Sequence, residues 1–164
     1  MKIVQTNKAY YPKIGGIETV VKTLSEGFVN EYDDEVEVLT CNHKVYSKKI
    51  EEIINKVKIT YLPTFYFALS LPISPSYPRE LLKTYGDILH IHEPFPLADL
   101  TLEIFPKLRK NFSKIVTSWH CDITRQKWVL PLYGKYIHRF LNVVDKIIVS
   151  NPPLIENSEF LRHY

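Results

Sequence analysis

The 164-residue sequence predicts an α/β fold: a doubly wound parallel sheet of about six strands with helices on both faces. Two observations carry that expectation. Short β-rich runs recur at 2–6, 35–40, 57–62, 87–92, 114–119 and 146–150, and several are almost continuously apolar, as strands covered on both faces are. The segments between them repeat apolar residues at helical spacing. Alternation of the two implies right-handed crossovers and the strand order 3-2-1-4-5-6.

The elements follow in chain order. The first strand leads into a helix whose stripe is Ile17, Val20, Val21, Leu24 and Phe28, with Glu18, Lys22 and Glu26 on other faces. Residues 47–55 read as a further helix. The proline-rich stretch 63–78 is a long connection after the third strand, and long loops in compact domains are often functional. A short helix is expected at 76–85. The next stripe is Leu97, Leu100, Ile104, Phe105 and Leu108. The last is Leu132, Tyr136, Phe140, Leu141 and Val144, with Pro131 in its first turn. "SNPPLIENSEFLRHY" reads as a strand end and the beginning of another helix. Residues 1–164 are therefore expected to form a single Rossmann-like domain, cut from a longer protein or paired with a half that lies elsewhere.

Composition narrows the function classes. Apolar residues make up 45% and charged residues 24%, a globular balance. The formal charge of +3 is spread along the chain, which does not suggest nucleic acid. Cys41 and Cys121 are far apart without CxxC spacing and read as free thiols in a reducing compartment. "MKIVQTNK" lacks the apolar core of a signal peptide, and "FYFALSLPI" is too short to cross a bilayer, so a cytoplasmic protein is expected. Lys107, Arg109, Lys110, Arg125, Lys127, Trp128 and Lys135 set cations beside aromatics. Solvated helix faces are the simpler reading, and peripheral contact with an anionic membrane is the other.

In a doubly wound sheet, ligands bind beyond the carboxyl ends of the strands. Four polar loops fall there: the Gly15-Gly16 turn, "HIHEP" at 90–94, "SWHCD" at 118–122 and "SNP" at 150–152. Two adjacent glycines before a helix permit positive φ and close backbone approach, and free helix N–H groups face that turn, a setting suited to phosphate. GxGxxG is absent and no acidic residue ends the second strand, which disfavours a dinucleotide; the P-loop pattern is absent too. His90, His92 and Glu93, with His120, Cys121 and Asp122, invite a metal reading, but zinc-type spacings are missing and no metal is expected. His90 and His92 share a sheet face if one strand runs through both. His120 follows the fifth strand, where imidazole can meet a hydroxyl or phosphate, or act as acid or base. Ser118 and Asp122 cluster with it.

These segments also carry a family resemblance. "KIVQTNKAYYPKIGGIETVVKTLSEGF", "GDILHIHEPFPL", "KIVTSWHCDI" and "VDKIIVSNP" resemble, in collinear order over essentially the whole chain, the N-terminal domain of family 4 glycosyltransferases of the GT-B architecture. The resemblance implies retaining sugar transfer from a nucleotide-sugar donor to an acceptor that is a glycan, lipid-linked or a small molecule, without a cofactor. It implies that Gly15 and Gly16 lie against the donor diphosphate or sugar and that His120 is catalytic, contacting the transferring sugar. It makes Glu93 and Asp122 candidates for lining the cleft or the acceptor site, and Ser118 joins them by its clustering with His120. The family's nucleotide-binding C-terminal domain, with its basic pair and EX7E motif, has no counterpart here; Glu18 and Glu26 match the EX7E spacing but sit on the first helix, outside that motif's context. The chain alone is expected to be inactive. The alternatives are a non-catalytic sugar- or nucleotide-binding module and part of a GT-B sugar-nucleotide epimerase.

Overall fold

The computed structural model describes residues 1–122 and 130–164. Nine strands lie among them: β1 Lys2–Asn7, β2 Glu35–Val45, β3 Ile50–Ile54, β4 Val57–Thr64, β5 Tyr66–Ala68, β6 Leu71–Ile73, β7 Gly86–Glu93, β8 Phe112–Trp119 and β9 Lys146–Val149. Five α-helices join them: α1 Gly16–Tyr32, α2 Ser76–Lys83, α3 Pro96–Ile104, α4 Leu130–Val143 and α5 Pro152–Asn157. The main sheet runs β3-β4-β2-β1-β7-β8-β9. Its six parallel strands, numbered among themselves, stand in the expected order 3-2-1-4-5-6. Parallel pairing brings the carboxyl ends of these six strands to one edge, where the four polar loops lie.

Two apolar layers flank the sheet. One packs Leu89, Ile91, Ile115 and Trp119 against Tyr77, Phe95, Leu102 and Phe140. The other packs Ile3, Val36, Val38 and Ile59 against Val21 and Val29 of α1.

Residues 47–55 are not a helix. Asn55 and Lys56 both adopt positive φ, and Ile54 pairs with Val57, so two residues close a hairpin that makes β3 an antiparallel edge strand. Asparagine tolerates the left-handed region, and Ile50, Ile53 and Ile54 are β-branched. Glu51 and Glu52 are exposed on this strand, and charge guards a sheet edge against further pairing. The proline-rich connection contains a second hairpin, β5–β6, turned by Leu69 and Ser70 at positive φ.

Two helix faces also differ from their stripes. The buried line of α1 is Glu18, Val21, Ser25 and Val29, while Val20 is 39% exposed. Helix α3 stops at Ile104, two residues before Pro106, because proline disfavours helical geometry in its predecessor. Ile104 and Phe105 are therefore exposed rather than buried, and Ala98 and Leu102 form the inner face. At the far end, α5 closes at Asn157 instead of beginning a long helix. Ser158 turns the chain so that Phe160 and Leu161 return to the core.

Candidate active site

The site is built on three parallel strand ends, β1, β7 and β8, and on the first turn of α1. Polar residues penetrate the core there. Gln5, Thr6 and Asn7 of β1 are fully buried, and so is His92 of β7. A buried polar group without a partner is costly, so each of these side chains must be bonded. Thr6 bonds the Leu39 carbonyl and the Tyr77 hydroxyl, and Asn7 bonds the Ala9 carbonyl and the Lys8 amide.

Gln5 and His92 belong to a chain. Ser25 Oγ donates to the Val21 carbonyl one helical turn earlier at 2.7 Å. Gln5 Nε2 lies 3.3 Å from Ser25 Oγ, and Gln5 Oε1 lies 2.6 Å from His92 Nε2. His92 Nδ1 is 3.0 Å from His120 Nε2, and the two rings stack with centroids 5.3 Å apart and planes 10° apart. β7 runs through both His90 and His92, and the alternation of a strand puts their rings on one face, centroids 4.2 Å apart. His90 bonds Ser118 through Nε2 at 2.8 Å.

Burial opposes charging these rings. It pushes His90 down to about 4 and, with help from the neighbouring imidazoles, His92 down to about 2. Burial lowers His120 as well. All three imidazoles are neutral at pH 7, and His120 is the only one of them with an appreciable exposed surface.

The sequence-predicted residues fall into distinct environments. His120 stands at the carboxyl edge, anchored through His92. Ser118 is 5% exposed and bonded to His90, and Glu93 is 1% exposed. Glu93 Oε2 accepts from the Phe95 amide at 2.7 Å, and burial raises its carboxyl above the usual range. Asp122 accepts from Trp119 Nε1 at 2.8 Å, from Ser158 Oγ at 2.8 Å and from the Glu159 amide at 3.3 Å, which ties the last residues of the chain to the β8 loop.

The glycine pair is also differentiated. Gly15 is the N-cap of α1 with φ −169°, and no described glycine has positive φ, so conformational freedom is not what places glycine here. Space is. A Cβ at Gly15 would overlap the carboxylate of Glu18, which is buried, and a Cβ at Gly16 would meet nothing. Glu18 thus sits in the first turn, where a negative charge complements the helix dipole. Gly16 alone leaves open space at this helix end.

Sequence reasoning missed Gln5, Ser25 and the bonding role of His92. The signal was present in "KIVQTN": a glutamine inside a strand covered on both faces needs a buried partner. Among the described residues no three His, Cys, Asp or Glu side chains are grouped so as to hold a metal ion. Of the basic and aromatic residues, Arg125, Lys127 and Trp128 lie outside the described residues. Arg109 pairs with Asp145 at 2.8 Å, and Lys107 and Lys110 are exposed. No described helix is long and apolar enough to cross a membrane.

The doubly wound sheet, with a helix N-terminus and an anchored imidazole at its carboxyl edge, has the Rossmann-like α/β fold of the GT-B kind. The glycosyltransferase family 4 model matches residues 14–157, and the chain belongs to that family. It is 32% identical to the O-antigen chain mannosyltransferase C of Escherichia coli, over all of this chain and 43% of that protein. It is 28% identical to the D-rhamnosyltransferase WbpZ of Pseudomonas aeruginosa, over all of this chain and 42% of that one. The chain thus spans less than half the length of these curated relatives. The structure of a sucrose-phosphate synthase from Thermosynechococcus elongatus superposes with a TM-score of 0.63 at 15% identity, covering 99% of this chain and 45% of that one.

Proposed function

We propose that this chain is the acceptor-side half of a retaining glycosyltransferase that moves a hexose-type sugar from a nucleotide-sugar donor to a glycan or lipid-linked acceptor. The observation that carries the reading is His120, a neutral imidazole held at the carboxyl edge of the sheet by a buried hydrogen-bond chain, in a chain of family 4. Kinship to a mannosyltransferase and a rhamnosyltransferase supports the hexosyl class.

The proposed roles draw on that geometry. The bond between the sugar's anomeric carbon and the diphosphate breaks, and a bond from that carbon to an acceptor oxygen forms. Negative charge gathers on the departing diphosphate, and preorganised N–H donors stabilise it best. The open N-terminus of α1 at Gly16 supplies such donors on this side of the cleft. His120 holds a hydroxyl of the transferring sugar. A second nucleotide-binding domain completes the donor site, so this half alone is inactive. Binding of a lipid-linked acceptor would set the protein against the cytoplasmic face of a membrane.

The test is ligand binding to this chain, followed residue by residue by NMR. Adding acceptor sugars or a sugar nucleotide should shift the amides of residues 15–17 and 118–122 together. Shifts confined to another surface would contradict the proposal.

A further inference from the structure

The hydrogen-bond chain behind His120 has a direction, and the direction follows from counting protons. Ser25 has one hydroxyl proton, and it is spent on the Val21 carbonyl. Toward Gln5 the serine can therefore only accept, which turns the amide NH2 of Gln5 to Ser25. The carbonyl oxygen of Gln5 then faces His92 Nε2, and a carbonyl only accepts, so His92 carries its proton on Nε2. A neutral imidazole has one N–H. His92 Nδ1 is accordingly bare and accepts from His120 Nε2–H. Neutral His120 is left with a bare Nδ1.

We infer that Gln5 and His92 are positioning residues that hold His120 in its Nε2–H tautomer and leave Nδ1 as a hydrogen-bond acceptor for the ligand. The consequence for recognition rests on the proposed function: the group met by His120 Nδ1 must be a donor. A sugar hydroxyl qualifies. A fully ionised phosphate oxygen does not, so His120 reads the sugar and the α1 terminus reads the diphosphate. Gln5 and His92 touch no ligand; their effect passes through the ring orientation and tautomer of His120, as outer-shell partners commonly act on an imidazole.

The experiment is long-range 1H–15N correlation NMR of the 15N-histidine-labelled chain at pH 7.5, which reads the protonation of each ring nitrogen directly. Wild type should show His120 with Nε2 protonated and Nδ1 bare. A protonated Nδ1 in wild type overturns the inference without any variant. In Gln5→Leu, close in volume but unable to accept from His92, the His120 signals should move to an average of both tautomers. A folded Gln5→Leu chain with the wild-type tautomer also overturns it. Joined to a nucleotide-binding half, Gln5→Leu should lower kcat roughly 10- to 100-fold with little change in KM. Loss of kcat with an unchanged tautomer would assign Gln5 a structural role only and reject the inference. If instead the tautomer is as stated and no sugar binds, the functional proposal fails while the positioning of His120 stands.

Discussion

A methyl group added at Gly15 would overlap the Glu18 carboxylate, whereas one added at Gly16 would meet no atom within 4 Å. Substitutions at the two positions should therefore behave differently. Gly16→Ala, in the first turn of a helix, should hold or raise stability by about 0.5 kcal/mol. Gly15→Ala must turn Glu18 aside and should cost up to about 1 kcal/mol, a cost that vanishes in a Glu18→Ala background. A double-mutant cycle by urea denaturation measures this; no coupling between the two positions would refute the crowding. Gly16→Leu should leave the domain folded and abolish transfer once both halves are present.

The histidines give a pH prediction at the same scale. The unfolded chain protonates both imidazoles below about pH 6.5, whereas the fold holds His90 neutral down to about 4 and His92 lower still. The unfolded state thus binds more protons in that window, so stability is full above pH 6.5 and falls as pH drops toward 4. The slope from each ring is roughly 1 kcal/mol per pH unit. Replacing both by glutamine should flatten it, and an unchanged slope in urea midpoints would refute the attribution. The motif "HIH" was legible in the sequence as two rings on one face. The link to His120 was not, because His92 meets His120 only when β7 pairs with β8, and the Gln5 and Ser25 behind His92 join it only when β1 pairs with β7 and α1 packs on the sheet.

Asp122 works at the scale of elements. Its carboxylate accepts from the β8 end and from the segment after α5, and so ties the two together. Asp122→Ala should cost about 1–3 kcal/mol, the loss of partners for Trp119 and Ser158. Faster amide exchange at Phe160 and Leu161, with the sheet unchanged, is the expected signature. Unaltered exchange there would show that apolar packing alone retains the segment. Element types were legible wherever the apolar period was long. They failed at 47–55, where a charged edge strand with a two-residue turn imitates a helix, and at the α3 stripe, where Pro106 overrides the period. On α1 the buried line includes Glu18 and Ser25, so polarity misplaced the face by about one residue.

For the whole molecule, the topology was legible because parallel β-α alternation leaves few arrangements, and the six-strand order follows. The edge strand β3 and the hairpin β5–β6 are additions that do not alter it. What the order provides is a single carboxyl edge bearing His120 and the α1 terminus, which the proposed function makes one wall of a cleft completed by a second domain. The most direct measurement is sugar-nucleotide turnover by the 164-residue chain alone and by the same chain joined to a family 4 nucleotide-binding domain. The chain alone should release no nucleoside diphosphate; the joined protein should transfer sugar with retention of anomeric configuration, and His120→Ala should reduce its kcat at least about 100-fold. Turnover by the isolated chain, or full activity of the joined His120→Ala protein, would contradict the assignment.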